Sequence, residues 1–246
     1  MTRIGILGAS GRMGRAIAGL LRESAEARLG GTAGHGEDPA PLAAGCDVLV
    51  DFTAPDALRS HLDAALAAGK PIVIGTTGLG AEHHQAIDEA ARRIPVLQSA
   101  NMSLGVNLLA FLVREAAARL GEDWDIEIAE MHHRLKIDAP SGTALLLGAA
   151  AAAGRGIDLD KASHRGRDGI TGARIPGHIG FASLRGGTVA GDHQVIFAGD
   201  SERIELGHRA ESRDVFAHGA IRAALWLRDR PHGRYDMADM LGLAGE

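Results

Sequence analysis

The residues of this chain best suited to acid–base chemistry lie together near its middle. His132 and His133 are followed by an arginine and Lys136, so proton donors and positive charge meet within five positions. A Pro-Ser-Gly-Thr turn at 140–143 then leads into the helix-forming run 144–150. A helix start favours a bound anion because its partial charge is positive. The segment therefore predicts a pocket where a small, negatively charged substrate is protonated.

A metal site is the alternative for these histidines, with Glu130 as a further ligand. If a strand runs to Met131, then Glu130 and His132 point to one face while Met131 and His133 point to the other. The two histidines then cannot share one apolar core. A zinc site also needs more ligands at fixed distances, and the neighbouring sequence supplies no recognisable spacing. We therefore predict acid–base groups and no metal.

A second segment with chemical potential lies at the N-terminus. A short apolar run ends at Leu7, helical apolar spacing begins at Arg12, and Gly8, Gly11 and Gly14 punctuate this junction. A strand, a glycine turn and a helix in this order form the phosphate-binding corner of a dinucleotide fold. The spacing is GxxGxxG because a serine stands where the middle glycine usually falls. A plain strand-to-helix turn is therefore the alternative.

Composition limits the classes of protein to be considered. The 246 residues suffice for two domains, and 46% hydrophobic with 23% charged residues is typical of a soluble globular protein. A net charge of −5 without a basic stripe argues against a nucleic-acid partner. No apolar run is long enough to span a membrane, and the single cysteine, Cys46, fits a reducing compartment. We expect a cytoplasmic enzyme that binds neither nucleic acid nor membrane.

The first hundred residues alternate strand-like and helix-like segments, which predicts a parallel sheet covered by helices. Loops at 51–55 and 75–78 follow two of these strands and should border the cofactor, since open α/β sheets bind ligands at that edge. Asp51 as a helix cap and Gly78 as a turn glycine are the alternatives. The predicted strands are 3–7, 28–33, 47–52, 71–75 and 95–98, with helices at 57–68 and 81–92.

Beyond residue 103 the pattern changes to a long helix followed by strands with hairpin turns, which predicts an antiparallel or mixed sheet. The polar run 164–177 is predicted as a long loop. The predicted elements are helix 104–120, strand 124–131, helix 143–153, strands 178–185, 192–197 and 203–208, and helix 215–228. The fold class is therefore α/β: a Rossmann-like, doubly wound parallel sheet formed by 1–103 and 216–246, with an α+β substrate domain of mixed sheet at 104–215.

The run from Glu130 to Ala144 resembles the signature of the dihydrodipicolinate reductase family. The similarity continues in family order through four further stretches, namely 8–14, 51–53, 75–78 and 100–101, and ends with 223–226. The resemblance implies that NADPH or NADH gives a hydride to a cyclic, unsaturated dicarboxylate, 4-hydroxy-tetrahydrodipicolinate, on the diaminopimelate route to lysine. It also implies a homotetramer assembled through the sheet of the second domain.

The resemblance also assigns roles to individual residues. His132 and Lys136 are the acid–base pair, and the sequence leaves open which of them gives the proton. The residues implied to hold the substrate are His133, Gly142 and Thr143. Those implied to bind the cofactor are Gly8, Ala9, Ser10, Gly11, Arg12, Met13, Gly34, His35, Gly75, Thr76, Thr77, Ser99, Ala100, Asn101 and Met102. Arg213 and Phe216 align with family positions close to the nicotinamide.

Two departures from the family pattern bear on the cofactor. The family often has an acidic residue after the second strand for the ribose hydroxyls, and here Gly34 and His35 occupy the matching positions. With no acid to repel a 2′-phosphate, and with Arg12 and His35 nearby, we predict use of both cofactors with a mild preference for NADPH. Met102 replaces an aromatic residue often found beside the nicotinamide, which predicts weaker stacking.

Two other functions use the same fold. A different two-domain NAD(P) oxidoreductase is one, but it does not need the Ser-Gly-Thr turn after the histidines. A dinucleotide-sensing regulator is the other, but it does not need an acid–base pair facing a pocket. Oxidation of NADPH that depends on the substrate separates these alternatives, because enzymes turn over whereas sensors only bind.

Overall fold

Parallel strands alternating with helices build the first of two units in a computed structural model that describes residues 1–243. This unit contains Met1–Leu104 and the chain from Asp214 onward, and the second contains Gly105–Arg213. The boundaries between these units lie one to two residues from the predicted domain boundaries. The α/β fold class, with a parallel sheet in one unit and a mixed sheet in the other, is confirmed.

The first unit begins with five β–α repeats, of which the last contributes only its strand. The elements are β1 (Thr2–Leu7), α1 (Arg12–Leu21), β2 (Ala27–Ala33), α2 (Ala40–Gly45), β3 (Val48–Asp51), α3 (Leu58–Ala68), β4 (Ile72–Ile74), α4 (Ala81–Ala91) and β5 (Pro95–Gln98). Every residue of β3 and β4 is buried. Continuous apolar strands of this kind are typical of a parallel sheet that is covered on both faces.

The second unit is a helix pair on a five-stranded mixed sheet. Its elements are α5 (Leu104–Arg119), β6 (Asp125–His132), α6 (Gly142–Arg155), β7 (Ser163–His164), β8 (Ile179–Arg185), β9 (Gly191–Ala198) and β10 (Arg203–Ala210). The strand order is β10-β9-β6-β8-β7, with β6 parallel to β8 and antiparallel to β9. Side chains of α5 and α6 pack with the buried face of β6, β8 and β9 in one core.

The chain then returns to the first unit through α7 (Asp214–Leu227), β11 (Gly233–Tyr235) and α8 (Met237–Leu241). β11 joins the edge of the sheet beside β5, giving the order β11-β5-β4-β3-β1-β2 with all pairs parallel. On one face of this sheet α1 and α7 share a core, and α2, α3 and α4 enclose a second core on the other face.

The differences from the predicted elements are confined to short ones. The sequence patterns did not reveal α2, β7, β11 and α8, which are two to six residues long, because such lengths carry too little periodicity. β9 begins at Gly191, one residue before the predicted strand 192–197. Within residues 1–243, no helix combines the length and the apolar character needed to cross a membrane.

Candidate active site

The turn between β1 and α1 has the backbone geometry that a phosphate-binding loop requires. Gly8 has φ +84°, which side chains rarely permit. A Cβ on Gly14 would lie 2.4 Å from the Gly8 carbonyl oxygen and 2.5 Å from Ala9 Cα, so only glycine lets α1 start this close to the turn. Gly11 precedes the helix, and no side chain caps it. The amide-rich helix start therefore suits a pyrophosphate group.

Exposure along the turn is consistent with ligand contact. Ser10, Gly11 and Arg12 are exposed, while Ala9 and Met13 are half-buried against the apolar core. The predicted phosphate-binding residues therefore form one continuous strip whose polar members face solvent.

The loops after β3 and β4 are tied together by a fully buried carboxylate. Asp51 accepts hydrogen bonds from the Thr53 hydroxyl at 2.6 Å and the Thr76 hydroxyl at 3.2 Å, and its other oxygen lies 2.8 Å from His61 Nδ1. The Thr53 amide in turn donates to Thr76. Asp51 is therefore a tie between the two loops at the carboxyl edge of the sheet rather than a helix cap.

The residues predicted to lie beside the nicotinamide differ in exposure. Thr77 and Ala100 are exposed, and Asn101 and Ser99 are half-buried in a turn where the Ser99 hydroxyl donates to the Asn101 carbonyl at 2.8 Å. By contrast, the Met102 side chain is 2% exposed and packs in the core beside α7. Any contact of Met102 with a cofactor would therefore involve its backbone.

Two further predicted positions, Gly75 and Thr76, are buried. A Cβ on Gly75 would lie 2.1 Å from the Phe52 ring, so the loop after β4 closes onto the loop after β3 only with glycine at this position.

A carboxylate lies beside the end of β2, where the sequence comparison indicated none. The chain turns at Gly36, which has φ +79°, and the Glu37 carboxylate comes back to accept the Gly34 amide at 2.7 Å. Glu37 itself is exposed, as is His35. In dinucleotide folds an acid near the end of this strand binds the ribose hydroxyls. Gly34 and His35 are the residues that match the family's acidic position, and the turn at Gly36 brings the Glu37 carboxylate to the same end of β2.

The acid–base residues of the second unit lie on the helix-covered face of β6. Burial alternates along the whole strand, and Glu130 and His132 are 2% and 7% exposed. Met131 and His133 are half-buried, in agreement with the predicted alternation. Ser141 caps α6 by accepting the Ala144 amide at 3.1 Å. The start of α6 is thereby fixed next to the end of β6.

Glu130 is the hub of this cluster. Its Oε1 accepts the Ser141 amide at 3.2 Å and both terminal nitrogens of Arg185 at 3.3 Å. Its Oε2 lies 3.2 Å from His132 Nδ1 and 3.8 Å from His193 Nε2. Burial raises the pKa of Glu130, but hydrogen bonds from Ser141 and other donors outweigh it and the pKa is lowered. Glu130 is therefore a buried, ionised carboxylate facing two histidines.

Burial keeps both of these histidines neutral near pH 7. For His132, burial lowers the pKa, Glu130 raises it in part, and the cations Lys136 and Arg185 lower it again, so the net shift is downward. Burial lowers the pKa of His193 to about 4. An anion arriving beside His132 would raise its pKa, because it would offset the two cations. The cluster can thus gain a proton together with an anionic ligand.

The loop after β6 presents the remaining predicted residues. Lys136 Nζ donates to Asp138 at 2.9 Å, which lowers the pKa of Asp138. Asp138 therefore orients the Lys136 ammonium. His133 lies between two donors, the Leu135 amide at 3.2 Å and Arg213 Nη2 at 2.9 Å. A neutral imidazole accepts at only one nitrogen, so the pair leaves donor capacity for an anion.

Metal binding is geometrically conceivable in this cluster. Donor atoms of Glu130, His132 and His193 lie within 4.8 Å of one another, and the third group, from β9, was not evident from local spacing. However, the other oxygen of Glu130 is held by Arg185, and the positive charges of Arg185 and Lys136 act on His132. These cations disfavour a further positive ion. The arrangement is therefore better suited to holding protons.

Two residues of the cluster, Arg185 and His193, were missed by sequence analysis. His193 pairs with Glu130 across β9 and β6, and Arg185 pairs with His132 across β8 and β6. Both residues lie in predicted strands, so the alternation of side chains along a strand would have predicted the face of the sheet on which each lies. Their neighbours depend on strand order and register, which the sequence did not determine.

Comparison with known proteins identifies the family. The model for the N-terminal part of dihydrodipicolinate reductase matches residues 2–102, and the model for its C-terminal part matches residues 105–241. The chain belongs to the dihydrodipicolinate reductase family. Relatives named 4-hydroxy-tetrahydrodipicolinate reductase include one from Zymomonas mobilis, 56% identical over 98% of this chain and 97% of the relative. Another, from Rhodopseudomonas palustris, is 54% identical over 98% of each.

A solved structure also supports the fold of this reductase family member. The chain is similar to dipicolinate-bound dihydrodipicolinate reductase from Paenisporosarcina, with a TM-score of 0.77, 23% identity, and coverage of 97% of this chain and 98% of that one. Membership of this family makes the chain an oxidoreductase that uses a nicotinamide cofactor and a small-molecule substrate.

Proposed function

We propose that this chain reduces 4-hydroxy-tetrahydrodipicolinate to tetrahydrodipicolinate with NADPH or NADH, in the diaminopimelate route to lysine. The observation that carries the proposal is the cluster at the end of β6, where Glu130, His132 and the capped start of α6 meet. Full-length relatives with more than 50% identity carry the name of this reaction. The cluster supplies the proton-holding groups that the reaction needs.

The two units divide the cofactor and substrate chemistry. The glycine turn before α1 fits a pyrophosphate, and a bound reduced nicotinamide would supply the hydride. The start of α6, at Gly142 and Thr143, suits a substrate carboxylate because of its partial positive charge. His133, with Arg213 beside it, suits the second carboxylate. The dipicolinate in the Paenisporosarcina enzyme is a ligand of the same class, a cyclic dicarboxylate.

Protonation falls to His132 and Lys136. Loss of the 4-hydroxyl group as water gives the unsaturated ring. Hydride addition to this ring leaves negative charge, which a proton from a nearby cationic acid neutralises as the charge forms. The ammonium of Lys136, oriented by Asp138, is one such donor. His132 becomes a second donor when the dicarboxylate raises its pKa, and Glu130 then stabilises the imidazolium. Such a positioned acid is expected to contribute about 10²–10⁴-fold to the rate.

The choice of cofactor depends on the end of β2. The Glu37 carboxylate can accept a ribose hydroxyl of NADH, and its charge would repel the 2′-phosphate of NADPH. Arg12 and His35 act in the opposite direction. The predicted mild preference for NADPH is therefore weakened, and our proposal is the use of both cofactors. Homotetramer formation and a cytoplasmic location stay predictions from the sequence.

The test is a turnover assay with both cofactors. Substrate is generated in situ by a synthase, and loss of nicotinamide absorbance is followed with NADPH and with NADH. Oxidation that depends on the synthase product is expected with both. If the chain binds cofactor but never oxidises it with this product, the proposed reaction is wrong.

A further inference from the structure

His193 lies deep in the second unit next to His132, the proposed acid. It is 5% exposed and pairs with Glu130 across β9 and β6. Its ring meets the His132 ring edge-on, with centroids 5.0 Å apart and an interplanar angle of 74°. Gly191, two residues earlier on the same face, leaves room for this arrangement, since a Cβ there would lie 3.1 Å from His132 Nε2.

A chain of polar contacts links His193 to His132. His193 Nε2 lies 3.2 Å from the Ser141 hydroxyl. That hydroxyl accepts the Ala144 amide at 3.1 Å, and the Ser141 amide donates to Glu130 Oε1 at 3.2 Å. Glu130 Oε2 then faces His132 Nδ1 at 3.2 Å. The contacts therefore run from His193 through Ser141 and Glu130 to His132.

The hydrogen-bonding capacity of each group determines which group donates and which accepts in these contacts. Ser141 has one hydroxyl proton, and we assign it to Glu130 because the ionised carboxylate can only accept and the Ser141 side chain lowers its pKa. The hydroxyl oxygen must then accept from His193, so the proton of the neutral ring is on Nε2. Among residues 1–243, no group forms a hydrogen bond with the buried His193 Nδ1. A bare acceptor at Nδ1 is less costly than an orphaned N–H, which agrees with this tautomer.

We propose that His193 is a positioning residue, whose neutral Nε2–H fixes the Ser141 hydroxyl on Glu130 and thereby holds the carboxylate against His132. The same bond stabilises the cap of α6, so one side chain couples the anion-binding helix start to the acid. The inference rests on the proposed role of His132 as an acid–base residue. His193 itself does not touch substrate in this mechanism.

The chemistry of side-chain amides supplies a matched pair of variants. In His193→Gln the amide nitrogen can occupy the place of Nε2 and donate to Ser141. In His193→Asn the shorter side chain places its nitrogen near the position of Nδ1, which has no hydrogen-bond partner in the described part of the chain. His193→Leu removes the donor and keeps an apolar filling. His208→Gln is the control, because His208 pairs with His193 from β10, on the side away from Glu130.

Steady-state kinetics across pH test the proposal. The asparagine and leucine variants are expected to lower kcat about ten-fold or more, the usual scale for losing a hydrogen bond to a charged network, with KM for NADPH unchanged. In the plot of kcat against pH, the transition that reports the protonation of His132 should move to lower pH. A less firmly held Glu130 stabilises the His132 imidazolium less. His193→Gln should restore kcat and the profile, and His208→Gln should match the parent protein.

Three outcomes would overturn the inference: wild-type kcat in the asparagine variant, equal losses in the glutamine and asparagine variants, or an unshifted pH profile. Circular dichroism and thermal unfolding check folding, and the glutamine–asparagine comparison decides if the leucine variant fails to fold. His132→Asn measured in parallel separates the two proposals. A crippled His132→Asn with normal His193 variants rejects only the role of His193. A fully active His132→Asn rejects the acid role itself.

Discussion

The glycine turn before α1 and the cluster at the end of β6 are the two chemical regions of this chain, and they are built in different ways. The turn uses backbone: Gly8, Gly11 and Gly14 bring amides to an exposed helix start. The cluster uses buried ionisable side chains, with Glu130 and His132 almost fully enclosed. A backbone site holds a constant charge pattern, whereas a side-chain cluster can gain or lose a proton. The contrast matches binding in one region and proton transfer in the other.

Removal of the Lys136 side chain should have the largest effect on turnover while leaving cofactor binding intact. In Lys136→Ala we expect turnover to fall by about 10²–10⁴-fold, because the ammonium that neutralises the reduced ring is lost. NADPH affinity should be unchanged, since the phosphate turn is in the other unit. Lys161→Ala, which removes an exposed lysine paired with Asp158, is the control and should be fully active. Turnover of Lys136→Ala at the parental rate would contradict the assignment.

Acid should weaken the second unit through His193. The unfolded histidine takes up a proton near pH 6.5, whereas the folded one resists protonation until about 4. The unfolded state therefore binds more protons in this interval, and stability falls as the pH drops from 6.5 to 4, by roughly 3 kcal/mol in total. Urea unfolding at a series of pH values should show that the free energy of unfolding depends less steeply on pH in His193→Gln than in the parent protein.

The control for this measurement is His232→Gln, because His232 is exposed. It should keep the parental pH slope of the free energy of unfolding. Identical slopes for His193→Gln and the parent protein would show that His193 titrates normally in the folded chain.

A methyl group at Gly14 should damage the backbone site alone. The added Cβ would meet the Gly8 carbonyl oxygen at 2.4 Å, so the turn must move, and we expect NADPH affinity to fall roughly ten-fold or more. Gly19→Ala in the same helix is the control, because within residues 1–243 its Cβ would have no atom within 4 Å apart from its own helix backbone and chain neighbours. Calorimetric titration with NADPH and with pyridine-2,6-dicarboxylate checks this. A loss of dicarboxylate binding only would contradict the division between the regions.

The smallest expected effect concerns Glu37. Neutralisation in Glu37→Gln should shift the ratio of kcat/KM for NADPH over NADH a few-fold, roughly 3- to 10-fold, towards NADPH, because one repulsive charge near the 2′-phosphate is removed. Asp38→Asn removes the neighbouring charge, keeps the acceptor for the Ala40 amide, and should leave the ratio nearly unchanged. Equal ratios for Glu37→Gln and the parent protein would exclude Glu37 from cofactor selection.

The two regions also differ in how far the sequence revealed them. The turn is local, so its glycines and the following helix were evident from spacing, and the fold class followed from the alternation of patterns. In the cluster, His132 and Lys136 were evident because they share one segment. His193 and Arg185 lie 61 and 53 residues beyond His132 and reach it only through the order and register of β8, β6 and β9. Pairing of this kind is a tertiary property, which single-sequence periodicity does not contain.

Glu37 was missed for a local reason of a different kind. The residues expected after β2 were aligned by position, but the chain turns back at Gly36 and returns the carboxylate to the Gly34 amide. Met102 shows the reverse, because a residue placed correctly along the chain has its side chain in the core. The sequence therefore identified both loops correctly, but only the structure revealed the direction in which the side chains of these residues point.

The most direct test of the central claim is single-turnover oxidation of bound NADPH by His132→Asn at saturating substrate. NADPH and pyridine-2,6-dicarboxylate binding are measured on the same sample. We predict that NADPH binds with parental affinity and that the dicarboxylate still binds, though more weakly because the imidazolium is lost, while NADPH oxidation slows by about 10²-fold or more because the buried proton-holding group is gone. Oxidation at the parental rate with both ligands bound would contradict it and would show that the cluster at the end of β6 is structural.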